Sequence, residues 1–149
     1  MTPKIEVFVR HCHFSSISEH KARLPNFSRE RCHENLLATV DTKRVNLTFL
    51  LDTFHPSKET HFVLKQNCYP VIQISEGSET GSFLKLLDHV ISLNLSDETI
   101  CYFLEDDYLH KSGKGMERFF DDGKSPISCL LLPRGRIVIA GKTDGARGL

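Results

Sequence analysis

The chain lacks a long apolar run: no stretch reaches the roughly 18 residues that a membrane-spanning helix needs. It lacks a cleavable signal pattern, because the apolar part of "MTPKIEVFVRHCHF" is short and ends in Arg10. It lacks net charge, with 19 Lys and Arg against 19 Asp and Glu, which removes any broad attraction to nucleic acid or an anionic membrane. It lacks a cysteine framework. The five cysteines are scattered and odd in number, which predicts free thiols in a reducing cytoplasm. "HCH" at 11–13 and "CH" at 32–33 hold zinc-ligand side chains, but no C-x2-C or H-x3-H pair frames them, so no zinc site is expected. The N-x-[ST] matches at Asn26, Asn46 and Asn94 are expected to be unused, given no secretory signal. Internal repeats and low-complexity segments are absent too.

What remains is 149 residues, 40% hydrophobic and 26% charged, the composition of one folded domain. The charge is uneven: residues 111–149 carry a net +4 and residues 1–110 a net −4. "IEVFVR", Ile5 to Arg10, is β-branched and aromatic and predicts a strand. Ser28 is placed to cap a helix through "RERCHENLLATV". "NLTFLLD", Asn46 to Asp52, is nearly all apolar, as a strand covered on both faces should be. A helix is expected over Lys58 to Gln66, and a third strand at "PVIQIS". After the turn "EGSETGS", the helical spacing of Phe83, Leu84, Leu87, Val90 and Ile91 predicts a helix whose Leu and Phe residues are core. "ICYFL", Ile100 to Leu104, is a fourth strand, with Cys101 as a buried small apolar residue.

This alternation predicts an α/β fold: a Rossmann-like, mostly parallel sheet with helices on both faces. Beyond it, "GMERFFDD" has the pattern of a short helix, and "SCLLLPRGRIVIAG" that of a hairpin turning at Arg134 and Gly135, with Pro133 limiting it to an edge position.

In such sheets ligands collect beyond the carboxyl ends of the strands. Arg10 with its "HCHF" loop, Asp52, the "EGSETG" turn and "EDD" all fall there. In "YFLEDDYLH", Glu105, Asp106 and Asp107 follow one another with no cation between them. Three adjacent anions repel, so either they form a solvated acidic turn or something positive joins them. In extended chain Glu105 and Asp107 point to the same side. Hard oxygen donors of this kind suit Mg²⁺ or Mn²⁺, which keep one or two carboxylates and complete their shell with water and phosphate.

The ordered set "FVRHCHFSS", "FLLD", "EGSETGSFLKLLDHV", "YFLEDDYLH" resembles the nucleotide-binding half of a GT-A glycosyltransferase, within it the small nucleotide-diphospho-sugar transferase-like proteins of bacterial type, over about residues 4–112. The resemblance implies that Asp52 contacts the base or ribose of a nucleotide-diphospho-sugar donor. It implies that Gly77 and Gly81 let backbone approach the nucleotide at a helix start. Glu105 and Asp107 would take the outer positions of a DxD motif and hold Mn²⁺ or Mg²⁺, with Asp106 near the ribose or sugar. Glu105 departs from the usual Asp. Arg10 either meets the diphosphate or pairs with a nearby carboxylate. Such an enzyme passes the sugar to an acceptor hydroxyl, here unknown, with a general base that the sequence does not select. The alternative is a non-catalytic nucleotide-sugar binding module. A different phosphate-handling enzyme is disfavoured, because neither a Gly-rich loop with Lys nor a D-x-D-x-[TV] motif follows the first strand. On this reading residues 1–112 form the nucleotide-sugar-binding domain and 113–149 a divergent, poorly ordered tail.

Overall fold

The computed structural model describes residues 5–15, 20, 22–23, 25–41, 43–55, 57–109, 128–132 and 135–139. In chain order these form β1 (Ile5–Cys12), α1 (Arg29–Thr39), β2 (Val45–Asp52), a short 3-10 turn (Phe62–Leu64), β3 (Val71–Ile74), α2 (Glu79–Ser92), β4 (Ile100–Glu105), β5 (Ser128–Leu132) and β6 (Gly135–Ile139). One sheet holds all the strands in the order β3-β2-β1-β4-β6-β5. β3, β2, β1 and β4 run parallel, β6 runs parallel to β4, and β5 pairs antiparallel with β6. The fold is α/β, with a Rossmann-like order through its first four strands.

Right-handed crossovers put the helices on opposite faces. The chain steps from β1 through α1 to β2 in one direction, and from β3 through α2 back to β4 in the other. Side-chain alternation agrees. Val7, Val9, Phe49, Leu51 and Leu104 pack on one face with Leu36 of α1 and Val63. Phe8, Leu50 and Phe103 pack on the other with Leu86 and Val90 of α2. Each large side chain fully buried this way contributes about 1.5–3 kcal/mol.

Both helices begin as their sequences dictate. The Ser28 hydroxyl accepts the Arg31 N–H, and the Ser78 hydroxyl accepts that of Gly81. Glu79 in the first turn of α2 and His89 in the last suit the helix dipole. α2 gives way to Asn94, whose φ of 47° leaves the helical region.

Two expectations are corrected. The helix over Lys58 to Gln66 is only the three-residue turn Phe62–Leu64. Local side chains take the backbone groups instead. Ser57 Oγ accepts the Glu59 N–H, His61 Nδ1 that of Val63, and Gln66 Oε1 those of Cys68 and Tyr69. The core stripe of α2 is Ser82, Leu86 and Val90, with Phe83 and Leu87 half-buried beside it, while Leu84 and Ile91 are exposed. The C-terminal hairpin is present as β5 and β6, with Leu132 opposite Gly135. Its proposed turn at Arg134, and the short helix at "GMERFFDD", lie outside the described residues. Among the described residues no helix is long and apolar enough to cross a membrane.

Candidate functional site

The sheet's first half grows to one side of β1 and then returns to place β4 on the other, so the carboxyl ends of β1 and β4 flank a topological switch point. A cavity of about 230 Å³ opens there. Its wall includes Arg10, Asp52, Gly77, Glu105, Asp106 and Asp107, six of the seven residues that the sequence singles out. Gly81 stands beside it, its N–H held by Ser78 Oγ.

Asp52 ends β2 and is 6% exposed. Its Oδ1 accepts N–H bonds from Phe54 and Glu76 at 3.0 and 3.2 Å. Its Oδ2 accepts the Gly77 N–H at 2.9 Å and the Ser82 hydroxyl at 2.6 Å. Burial pushes this carboxyl up, but the bonds from Ser82, Phe54, Gly77 and Glu76 together outweigh it and leave the pKa lowered. Asp52 therefore fills the anion seat before α2 with the chain's own carboxylate. The glycines serve the same loop. Gly77 has φ of 68°, and a Cβ there would run into the Phe54 ring. At Gly81 a Cβ would press on Ser78 Oγ at 2.8 Å.

The acidic triplet meets its cations from far away in sequence. Arg10 Nη2 reaches Glu105 Oε1 at 3.2 Å, Arg29 Nε reaches Asp106 Oδ1 at 3.3 Å, and Arg23 Nη1 reaches Asp107 Oδ2 at 2.8 Å. Arg10 also donates to the Glu79 carbonyl and lies over the Phe83 ring. Of its two anticipated roles, the structure shows the carboxylate pair. Only Glu105 belongs to the strand; Asp106 and Asp107 form the turn that follows. Glu105 is the outermost of the three, its side chain 40% exposed against 10% for Asp106. Burial pushes Asp106 up to about 6, with Arg29 pulling it down and Asp107 adding to the rise.

Behind the rim lies a histidine cluster that the sequence did not announce. His11 from β1, His33 from α1 and His61 from the loop before the 3-10 turn are all buried. The His11 ring sits 5.7 Å from that of His33 and 5.5 Å from that of His61, edge to face, and His13 stands 4.8 Å from His61. Phe49 and Phe62 close the cluster. His11 Nδ1 faces Asp106 Oδ2 at 3.8 Å, too far for a hydrogen bond, and neither atom has a hydrogen-bond partner among the described residues. Among the described residues no group of three or more His, Cys, Asp or Glu side chains could hold a metal ion. Cys12, at the cavity wall, has its thiol pushed up by burial and by Asp106, the opposite of nucleophile activation.

Among the described residues the wall carries five carboxylates, Glu79 among them, against Arg10 and Arg29. Counting Arg23 on Asp107, the formal charge of these residues is −2. Glu105 and Asp107 each have one oxygen bonded to an arginine; two carboxylates are the donor type that Mg²⁺ or Mn²⁺ takes. No family model, curated protein or solved structure matches the chain.

Proposed function

We propose that the chain binds a nucleotide-diphospho-sugar with Mn²⁺ or Mg²⁺ in the switch-point cavity, and that it is a glycosyltransferase acting on an acceptor hydroxyl. The observation that carries this reading is the cavity's negative surplus at the position where parallel α/β sheets take nucleotides. Glu105 and Asp107 would hold the cation. When bound, the cation supplies charge neutralisation for a departing nucleoside diphosphate. The chain's own residues do the rest. Arg10 and Arg29 fix the carboxylates in place and add positive charge at the wall. Asp52 holds the loop before α2 rigid, so the cavity keeps its shape without the ligand.

A non-catalytic nucleotide-sugar binding module is the second reading. One observation favours it: Asp52 has both oxygens taken by its own loop, and Glu105, Asp106 and Asp107 are each paired with an arginine, which lowers their worth as proton acceptors for a hydroxyl.

Calorimetric titration with nucleoside diphosphates and nucleotide-sugars, with and without Mn²⁺, tests both. Binding that requires Mn²⁺ and is lost in a Glu105→Ala/Asp107→Ala variant is the expected result, and release of the sugar from a bound donor then separates enzyme from binder. A folded chain that binds none of them would sink both readings.

A further inference from the structure

Three exposed aromatic rings gather at the mouth of the cavity. Phe14, from the segment after β1, is 44% exposed, and Phe54, from the segment after β2, is 52% exposed. His55 stands between them. Its ring lies 5.6 Å from that of Phe14 at 82° and 4.8 Å from that of Phe54 at 89°. Phe14 and His55 line the cavity itself, and Phe54 lies over Gly77, whose missing side chain makes room for it. Single exposed apolar side chains are ordinary, but rings from two segments meeting at one cavity mouth form a patch.

A second observation concerns the polar groups beside the patch. Asp52, the carboxylate that the resemblance assigns to the base or ribose, has both oxygens taken by its own loop. The N–H groups of Phe54, Glu76 and Gly77 are used in the same bonds. Among the described residues, what this end of the cavity offers a ligand is chiefly ring surface.

We infer that the Phe14–His55–Phe54 patch seats a flat aromatic ring of the ligand and that it does so with little regard to which ring. Given the nucleotide reading, on which this inference rests, the ring is the nucleobase. Every base has a π-face, so stacking tolerates purine and pyrimidine alike, whereas discrimination needs hydrogen bonds to the base edge. The site is therefore a base-tolerant nucleoside diphosphate site.

The test titrates the full chain, in Mn²⁺, with UDP, CDP, ADP, GDP and inorganic diphosphate. The four nucleotides should bind within about 5-fold of one another, and Phe14→Ala should weaken each by roughly 5-fold or more. Phe14→Tyr, which keeps the ring, should restore them, and inorganic diphosphate should bind the wild type and the Ala variant equally. An unchanged urea midpoint will show that Phe14→Ala is folded. A preference for one base above about 30-fold, or no effect of Phe14→Ala, overturns the inference. Inorganic diphosphate binding as tightly as the nucleotides overturns it too, while leaving the cation–diphosphate reading standing. Binding of neither class ends both.

Discussion

Replacing Asp52 by Asn exchanges one of two acceptor oxygens for a donor at a place where four donors converge. If the new amide nitrogen took the Oδ1 position, the N–H groups of Phe54 and Glu76 would both face a donor. In the Oδ2 position it faces the Ser82 hydroxyl, which can rotate to accept, and the Gly77 N–H, which cannot. The second orientation is the cheaper, and it strands one buried N–H at a cost of about 1–3 kcal/mol. Loss of the negative charge before α2 adds about 0.3–1 kcal/mol. The sum, about 1–4 kcal/mol, is a sizeable share of the roughly 5–15 kcal/mol that holds a domain of this kind together. With a urea slope of about 2 kcal/mol per molar, the unfolding midpoint should drop by about 0.5–2 M. Hydrogen exchange should quicken first at Gly77. The pH dependence gives a second readout. A carboxyl with a lowered folded pKa stabilises fully above its ordinary value of 3.8 and loses that contribution as pH falls through the folded value. The gap between wild type and variant should thus hold from pH 7 to about 5 and close below about 4. Equal urea midpoints at pH 7 would refute the assignment of Asp52 as the loop's structural anion.

Three further outcomes follow from the same geometry. Burial holds His11 well below the ordinary histidine value, lowers His33 and brings His61 to about 4. These groups stay neutral in the fold while the unfolded chain takes up protons near 6.5, so stability is complete above that pH and drains as pH falls toward 4. Thermal midpoints should decline from pH 7 to 4.5. Asp106 opposes the decline, because its folded value of about 6 lies above its ordinary 3.8 and its contribution improves as pH falls between them. Asp106→Asn should therefore steepen the acid loss, and an unaltered slope would count against the burial of that carboxyl. Gly77→Ala should lose about 1–2 kcal/mol to the positive φ, plus the displacement of the Phe54 ring. Combined with Phe54→Ala, which removes the obstructing ring, the loss in urea unfolding should be less than the two single losses added.

β1, β2 and β4 were legible because they are buried along most of their length and read as largely apolar runs, and Ser28 announced α1 by its capping chemistry. Other elements were not legible for physical reasons. "KETHFVLKQ" has helical composition, but Ser57, His61 and Gln66 offer the backbone competing bonds that a periodicity count does not weigh. In α2 the sequence supports two apolar stripes, Leu86 with Val90 and Leu84 with Ile91, and only the packing against Phe8 and Phe103 decides which is inside. The cavity's place at the strand ends could be read from the alternation of strand and helix. A carboxylate partner for Arg10 was one of two readings the sequence offered, but the pairs of Arg23 and Arg29 with the triplet could not be read, since these arginines meet it only through the tertiary fold.

Asp52 shows why residue type alone cannot separate a ligand-binding carboxylate from a structural one. The N–H groups before α2 call for an anion, and either a phosphate or a nearby side chain can answer. In this chain Asp52 answers, and its hydrogen bonds are made without any ligand. An incoming diphosphate therefore cannot take the N–H groups of Phe54, Glu76 and Gly77 without displacing a buried carboxylate. On the proposed reading it settles nearer Arg10, Arg29 and the acidic triplet, where the wall already carries excess negative charge. A diphosphate alone would add like charge to like. A diphosphate arriving with a divalent cation brings the charge that the wall lacks. On the proposed reading, diphosphate binding should therefore depend on the cation, and freeing those N–H groups by Asp52→Ala should make it less dependent on Mn²⁺ even as the fold weakens.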